Sequence, residues 1–295
     1  MTQDHLWAIV LAAGEGRRLS SLTRDARGVP VPKQYCCFGR EKAMLHWALD
    51  RAAAIAPSER VVTVVAEEHR GWWERELGTL DPGNVVVQPR NRGTAAGILL
   101  PLVSVLRRDP EAVVVVLPSD HHVEDEATLA SSVRRAVTVV TADPDRVVLL
   151  GITPEEVDTQ YGWILPRKGR SGVVRAVERF VEKPGATVAA ELLLAGALWN
   201  SFVFVASGRM LLHLFEETLP ELLEPFLRDL VVSPRPGALD DLYERIPERD
   251  FSKEVLQRAP ERLDLLAVPP CGWSDLGTPE RLGRFLDDRV VSRSA

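Results

Sequence analysis

Gly14, Gly16, Arg17 and Arg18 stand together in the stretch LAAGEGRRL at residues 11–19, and Lys33 follows in Val31-Pro32-Lys33. Glycines permit a tight turn and let main-chain N–H groups approach phosphate oxygens closely. Two arginines in such a turn, with a lysine after it, suit a highly charged polyphosphate. The stretch is not a Walker A loop, since the sequence has no GxxxxGK[ST] pattern; nor is it the dinucleotide fingerprint, whose third glycine would fall on Leu19. The plainer alternative is a strand-to-helix turn with solvated arginines. Asp120 follows an apolar run in Pro118-Ser119-Asp120-His121. A carboxylate at a strand end is a hard oxygen ligand for Mg²⁺, which takes few protein carboxylates and completes its shell with substrate phosphates. Rival readings of this residue are a cap for the next helix and the Asp-His-His of a phosphoesterase whose other acidic motifs are not evident upstream. A zinc site from His121 and His122 lacks a third spaced ligand. Neither a Ser/His/Asp arrangement nor a nucleophilic cysteine can be argued.

The elements that must position these residues alternate in the first half. Residues 7–13 (WAIVLAA), 60–66 (RVVTVVA), 85–87, 112–117 (AVVVVL) and 146–150 (RVVLL) read as buried strands, with helix-length segments between them. Residues 41–56 carry apolar side chains at helical spacing, and residues 93–108 are helix-like although Pro101 should start, kink or break that helix. Strands that are apolar throughout imply a parallel sheet covered on both faces. Later, residues 173–181, 202–206 and 263–268 read as strands, and 211–231 as mostly helical. Thr278-Pro279-Glu280 reads as a helix start. In open α/β sheets ligands bind outside the carboxyl ends of the strands, so the segments just after each strand carry the functional reading.

The 295 residues suit one large domain, or one domain with a small extension. Hydrophobic residues at 45% and charged residues at 26% exclude global disorder. The apolar runs are far shorter than the roughly 20 residues of a membrane span. A net charge of −6 argues against a nucleic-acid binder working by broad phosphate neutralisation, yet leaves room for one small anionic substrate. Three cysteines, two of them adjacent, make neither a disulfide framework nor a four-ligand zinc site. With no secretion signal in MTQDHLW, the expected location is cytoplasmic.

From LAAGEGRRL to Pro32-Lys33 the sequence resembles the signature of the sugar-1-phosphate nucleotidyltransferases, the nucleotide-sugar pyrophosphorylases: GGxGxRL, then P and L, then PK. Ala13 stands at the first glycine of that signature and Ser21 at a usual proline. Residues 88–95 (QPRNRGTA) are similar to the base loop of the mannose-1-phosphate guanylyltransferase branch. Tyr161-Gly162-Trp163-Ile164 resembles the family's YGYI, and residues 180–184 match its FVEKP. Trp199-Asn200-Ser201 resembles its WNSG with Phe202 at the glycine, and residues 273–277 (WSDLG) resemble its W-x-D-x-G.

The resemblance implies a Rossmann-like α/β catalytic domain over residues 1–295, with a mixed, mostly parallel sheet and helices on both faces. It would be mainly helical from about residue 207, and would lack the family's common C-terminal β-helix. The implied reaction moves a nucleotidyl group from an NTP to a sugar 1-phosphate and releases pyrophosphate, with GTP and mannose 1-phosphate the expected pair. The alternatives are dTTP or UTP with glucose 1-phosphate, or a non-catalytic regulator that binds nucleotide sugars. By the same resemblance, Arg18 and Lys33 are catalytic. Leu11, Ala13, Gly14, Gly16, Arg17, Gln88, Arg92, Gly93, Thr94 and Ser119 bind nucleotide. Tyr161, Gly162, Glu182, Lys183 and Asn200 bind the sugar phosphate, and Asp120 and Asp275 hold Mg²⁺. Plainer readings stand beside these: a polar loop with a helix cap at 88–95, a strand-end ion pair worth little at Glu182-Lys183, and a turn residue at Asp275. The partners are then two small molecules, with no nucleic acid and no membrane; homo-oligomerisation stays open. A sugar 1-phosphate has its second pKa near about 6, so it needs no general base, only alignment and charge neutralisation.

Overall fold

Valine-rich runs lose rotamer freedom in a helix and fit a strand covered on both faces. Such runs form β1 (Leu6–Ala12), β2 (Val61–Ala66), β3 (Val85–Gln88), β4 (Val113–Pro118) and β5 (Val147–Ile152). Four more strands follow, β6 (Gly162–Pro166), β7 (Arg175–Glu182), β8 (Leu198–Ser207) and β9 (Leu263–Ala267). The helices are α1 (Met44–Ala53), α2 (Arg70–Glu76), α3 (Gly93–Arg108), α4 (Glu126–Ala142), α5 (Ala186–Leu194), α6 (Gly208–Thr218), α7 (Pro220–Leu227), α8 (Ala238–Arg245), α9 (Phe251–Glu254) and α10 (Pro279–Arg293). The computed structural model describes residues 4–169 and 172–293, with the side chains of Arg17 and of residues 288–293 outside that description.

Among the described residues the strands make one sheet in the order β3-β2-β1-β4-β8-β5-β9-β7-β6. β1 is parallel to β2 and β4, β2 to β3, and β5 to β9. β8 is antiparallel to β4, β5 and β6, and β7 to β6 and β9. The expected α/β architecture holds, as a mixed sheet in which β7 and β8 run against the rest. β4 and β6 pair with different stretches of the same side of β8, so β6 begins near the point where β4 stops.

The sheet is covered on both faces. Alternation along β1 sends Trp7 and Ile9 into one apolar cluster, with α3, α6 and α7, and Leu6, Ala8 and Val10 into the other, with α1 and α4. A third small cluster, Tyr161, Trp163, Ala189, Leu192, Ala197 and Trp199, lies under α5. Pro101 neither starts nor breaks its helix: α3 runs from Gly93 to Arg108 across it. An interior proline costs about 3 kcal/mol, whereas each fully buried Leu, Ile or Val gains about 1.5–3 kcal/mol. α3 buries Ile98, Leu99, Leu102, Val103 and Val105, so packing outweighs the lost hydrogen bond. Among the described residues no helix is long and apolar enough to cross a membrane.

Candidate active site

β1 delivers the glycine turn at the sheet's carboxyl edge, and one buried amide shapes it. Gln34 Nε2 donates to the carbonyls of Ala12 and Gly14, each at 2.9 Å. Gly16 has φ +62°, and a Cβ there would lie 3.2 Å from both the nitrogen and Cβ of Lys33. Glycine therefore lets the turn close onto Lys33. Gly14 has open space where a side chain would be, and it lines the cavity together with Leu11 and Arg18. Arg18 is exposed and donates to Gln160 Oε1 at 3.3 Å. The Arg17 side chain lies outside the described residues.

The Asp120 carboxylate, just past β4, and the main chain at Asp275 converge on Lys33. Its side chain is buried, and its Nζ donates to Asp120 Oδ2 at 3.0 Å and to the backbone carbonyl of Asp275. Ser119 is buried and tied to β1 through Ser119 N donating to Leu11 O at 3.1 Å. Burial works against the charge of Asp120, but Lys33 and His121 outweigh it and hold the carboxyl below its ordinary value. Asp275 behaves alike: burial opposes its charge, and His121, Arg281 and Lys33 hold it down. Burial pushes the His121 imidazole down to about 4, so it is neutral near pH 7. Its Nδ1 is buried without a hydrogen-bond partner.

On one side lies a cavity of about 270 Å³ lined by Leu11, Ala13, Gly14, Gln88, Gly93, Thr94, Gly97 and the segment 248–250. Gln88 is buried at the end of β3 and accepts from Tyr243 Oη at 3.1 Å. At Gly93, φ is +79° and a Cβ would lie 2.2 Å from the Arg249 carbonyl oxygen, so the chain crossing there admits glycine alone. Thr94 Oγ1 accepts from Phe251 N at 2.8 Å, and Arg92 Nε donates to the Tyr243 carbonyl at 2.7 Å. The Arg92 guanidinium thus ties its loop to the end of α8 and does not line the cavity.

On the other side a second cavity of about 270 Å³ shares Leu11, Gly14, Thr94 and Asp250 with the first. Asp120, Tyr161, Gly162, Glu182, Lys183, Asn200 and Asp275 line it. A Cβ on Gly162 would stand 2.6 Å from Glu182 Oε2, so glycine makes room for that carboxylate. Burial raises the Glu182 carboxyl above its ordinary value, against the pull of Lys183, whose Nζ donates to Glu182 Oε1 at 2.8 Å. Lys183, Phe202 and Leu276 all have positive φ, at +46°, +59° and +45°. Non-glycine residues in that region cost of order 1–3 kcal/mol each and cluster at functional sites.

Two cavities thus adjoin along Leu11, Gly14, Thr94 and Asp250, and the second also carries Asp120, Asp275 and Lys183. The sequence profile of the nucleotidyl transferase family matches residues 7–288. The chain belongs to that family. It is 29% identical over 292 residues to a mannose-1-phosphate guanylyltransferase of Escherichia coli K12, covering 94% of this chain and 59% of that one. It is 30% identical to the xanthan biosynthesis protein XanB of Xanthomonas campestris pv. campestris, with 92% and 57% covered. The chain thus spans under two thirds of the length of these relatives. Among solved structures, a Thermus thermophilus protein described as a mannose-1-phosphate geranyltransferase superposes with a TM-score of 0.81 at 28% identity, over 92% of this chain and 76% of that one.

Set in a nucleotidyl transferase, several residues gain weight that sequence reasoning did not give them. Gln34 shapes the turn. Tyr243 orients Gln88, while Asp250 and Ser252 arrive from α9 and its cap to line the cavity. Arg281 binds Asp275 from α10 at 2.7 Å. Only Gln34, directly after Pro32-Lys33, had a local signal. The others come from segments distant in sequence.

Proposed function

We propose that the protein transfers a nucleotidyl group from an NTP to a sugar 1-phosphate and releases pyrophosphate, with GTP and mannose 1-phosphate as the substrate pair. The observation that carries this reading is the meeting of Asp120, Asp275 and buried Lys33 at the second cavity, which adjoins the first along Leu11, Gly14, Thr94 and Asp250. The NTP lies along the turn of residues 11–18 with its base against Gln88, Gly93 and Thr94. The sugar 1-phosphate lies against Tyr161, Gly162, Glu182 and Asn200, with Lys183 at its phosphate. A sugar-phosphate oxygen attacks the α-phosphorus. The new P–O bond forms as the bond to the β-phosphate's bridging oxygen breaks, and pyrophosphate leaves with that electron pair. Arg18 and Lys33 neutralise the charge that builds on the phosphates.

Asp120 and Asp275 are hard oxygen donors, both held below the ordinary carboxylate range, and so ionised at neutral pH. That donor set fits Mg²⁺, which takes one or two carboxylates and leaves its other positions to phosphates and water. When bound, Mg²⁺ would supply Lewis-acid neutralisation of the phosphate oxygens. Positioning and electrostatics do the rest, and no side chain needs to remove a proton. The three cysteines are all free, which favours a reducing compartment such as the cytoplasm.

The test is pyrophosphate release with Mg²⁺ across four NTPs and a panel of sugar 1-phosphates. Release with GTP and mannose 1-phosphate alone is the expected outcome. Release with another pair would keep the reaction and replace the substrates. No release with any pair, in protein that still binds NTP, would refute the reading in favour of a binding protein.

A further inference from the structure

We infer that Arg281 is a positioning residue, which fixes the Asp275 carboxylate so that its Oδ2 is left for the cation that accompanies the phosphates. The inference rests on the nucleotidyl-transfer reading above. Asp275 Oδ1 accepts from Tyr161 Oη at 3.0 Å, from Gly277 N at 2.9 Å and from Arg281 Nη1 at 2.7 Å. A carboxylate offers about four lone-pair sites over two oxygens. Three donors therefore saturate Oδ1, and among the described residues none of the carboxylate's hydrogen bonds falls on Oδ2. The rotation of the carboxylate is set by donors on one side only.

Arg281 is the strongest of these donors and is itself held from several directions. Its side chain is partly buried; its Nη2 donates to Asp158, and its guanidinium carbon lies 4.1 Å over the centroid of the Tyr161 ring. Its backbone N donates to Thr278 Oγ1 at 3.3 Å in the first turn of α10. A planar fork that stacks on an aromatic ring and spans two carboxylates is a task for arginine; a lysine ammonium is a point charge without that geometry. Arg281 and Asp158 line a separate cavity of about 580 Å³, whereas Asp275 lines the cavity of the proposed site. Tyr161 borders both cavities. Arg281 therefore acts from behind the site, through Asp275.

The test uses Mn²⁺ as the probe, titrated into the whole protein with GTP present and followed by electron paramagnetic resonance, beside steady-state kinetics. Arg281→Lys keeps the charge and loses the fork. Removing an outer partner of a metal ligand typically costs 10–100-fold in metal affinity. The Mn²⁺ dissociation constant should rise about tenfold or more in Arg281→Lys, and kcat should fall with it, while KM for the sugar 1-phosphate stays near that of the unsubstituted protein. Tyr161→Phe removes a second donor to the same oxygen and keeps the ring, so its Mn²⁺ dissociation constant should also rise, by a smaller factor, and that constant alone is the readout there because Tyr161 lines the sugar cavity. Unchanged Mn²⁺ affinity in the folded variants overturns the proposal, as does a raised KM for GTP at unchanged Mn²⁺ affinity, which would mean direct phosphate contact. Unsubstituted protein that binds Mn²⁺ and GTP yet releases no pyrophosphate would sink the transfer reading, while the Mn²⁺ titration would still decide the role of Arg281.

Discussion

Gly93→Ala isolates one crossing of the chain. Gly93 has φ +79°, and an alanine Cβ there would lie 2.2 Å from the Arg249 carbonyl oxygen and 2.9 Å from its carbon. Both are backbone atoms, so no flexible side chain can give way. The segment at Arg249 must move, and with it go Ala95 N donating to Arg249 O at 3.1 Å and Arg249 N donating to Arg92 O at 3.2 Å. The left-handed conformation costs an alanine about 1–2 kcal/mol, and each lost hydrogen bond about 0.5–1.5 kcal/mol, for about 2–5 kcal/mol in all. In a protein of 295 residues that lowers Tm by roughly 3–8 °C. The displaced segment also carries Asp250, which lines both cavities, so nucleotide binding should weaken in the protein that remains folded. Gly14→Ala is the matched control for melting alone, since nothing lies within 4 Å of its Cβ but it lines both cavities. Differential scanning calorimetry with NTP titration reads both effects. A Gly93→Ala protein that melts within a degree of the parent and binds NTP equally well would refute the argument from the crossing.

Lys33→Met should abolish pyrophosphate release. It should also cost about 1–3 kcal/mol in urea denaturation, a sum reduced because Asp120 keeps partial exposure to water; retained turnover would remove Lys33 from the mechanism. Glu182 has its carboxyl raised in the folded state by burial, so the stability it leaves intact below the unfolded value of about 4.3 is lost as pH rises through the folded value. Glu182→Gln should therefore gain Tm over the parent at pH 7 and little at pH 4, while losing sugar 1-phosphate affinity; an equal Tm difference at both pH values contradicts the burial effect. Phe202→Gly and Phe202→Ala both lose the ring, but only glycine accepts φ +59° freely, so the glycine variant should be the more stable by about 0.5–1 kcal/mol in urea. Coincident midpoints would show that the backbone there carries no strain.

The parts of the fold written in short-range pattern were readable from sequence. β1 to β5 are apolar runs, and the turn at residues 11–19 and Asp120 stand directly after two of them. β6 was not anticipated as a strand, because Gly162–Pro166 is short and was read as part of a sugar-site motif. The helix at residues 93–108 was legible with its bounds, but Pro101 does not start or break it as its type suggests, since local propensity cannot weigh the burial on either side of it. At the site, Asp120, Lys33, Glu182 and Asn200 carried motif signals, and they line or border one cavity. Tyr243, Asp250, Ser252 and Arg281 carried none. Their roles come from where α8, α9 and α10 return to the sheet, a tertiary fact without a local pattern. Arg92 shows the converse: a motif residue whose guanidinium serves the chain crossing.

β8 joins what the chain makes early to what it makes late. The parallel strands β3-β2-β1-β4 meet β5 and β9 only across this reversed strand. Until Leu198 and the residues after it leave the ribosome, β4 offers a bare flank of valines with unpaired amides, the kind of edge that recruits wrong partners. Such late, long-range pairing slows folding, because loop closure must come before the contacts that reward it. The cavity proposed for the nucleotide also borrows residues 248–250, and the carboxylate pair waits for Asp275. A nascent or clipped chain therefore gains no protection from NTP, whereas the finished one can be stabilised by it through mass action. Protection from proteolysis by NTP thus marks chains whose synthesis has passed the keystone strand and reached the last carboxylate.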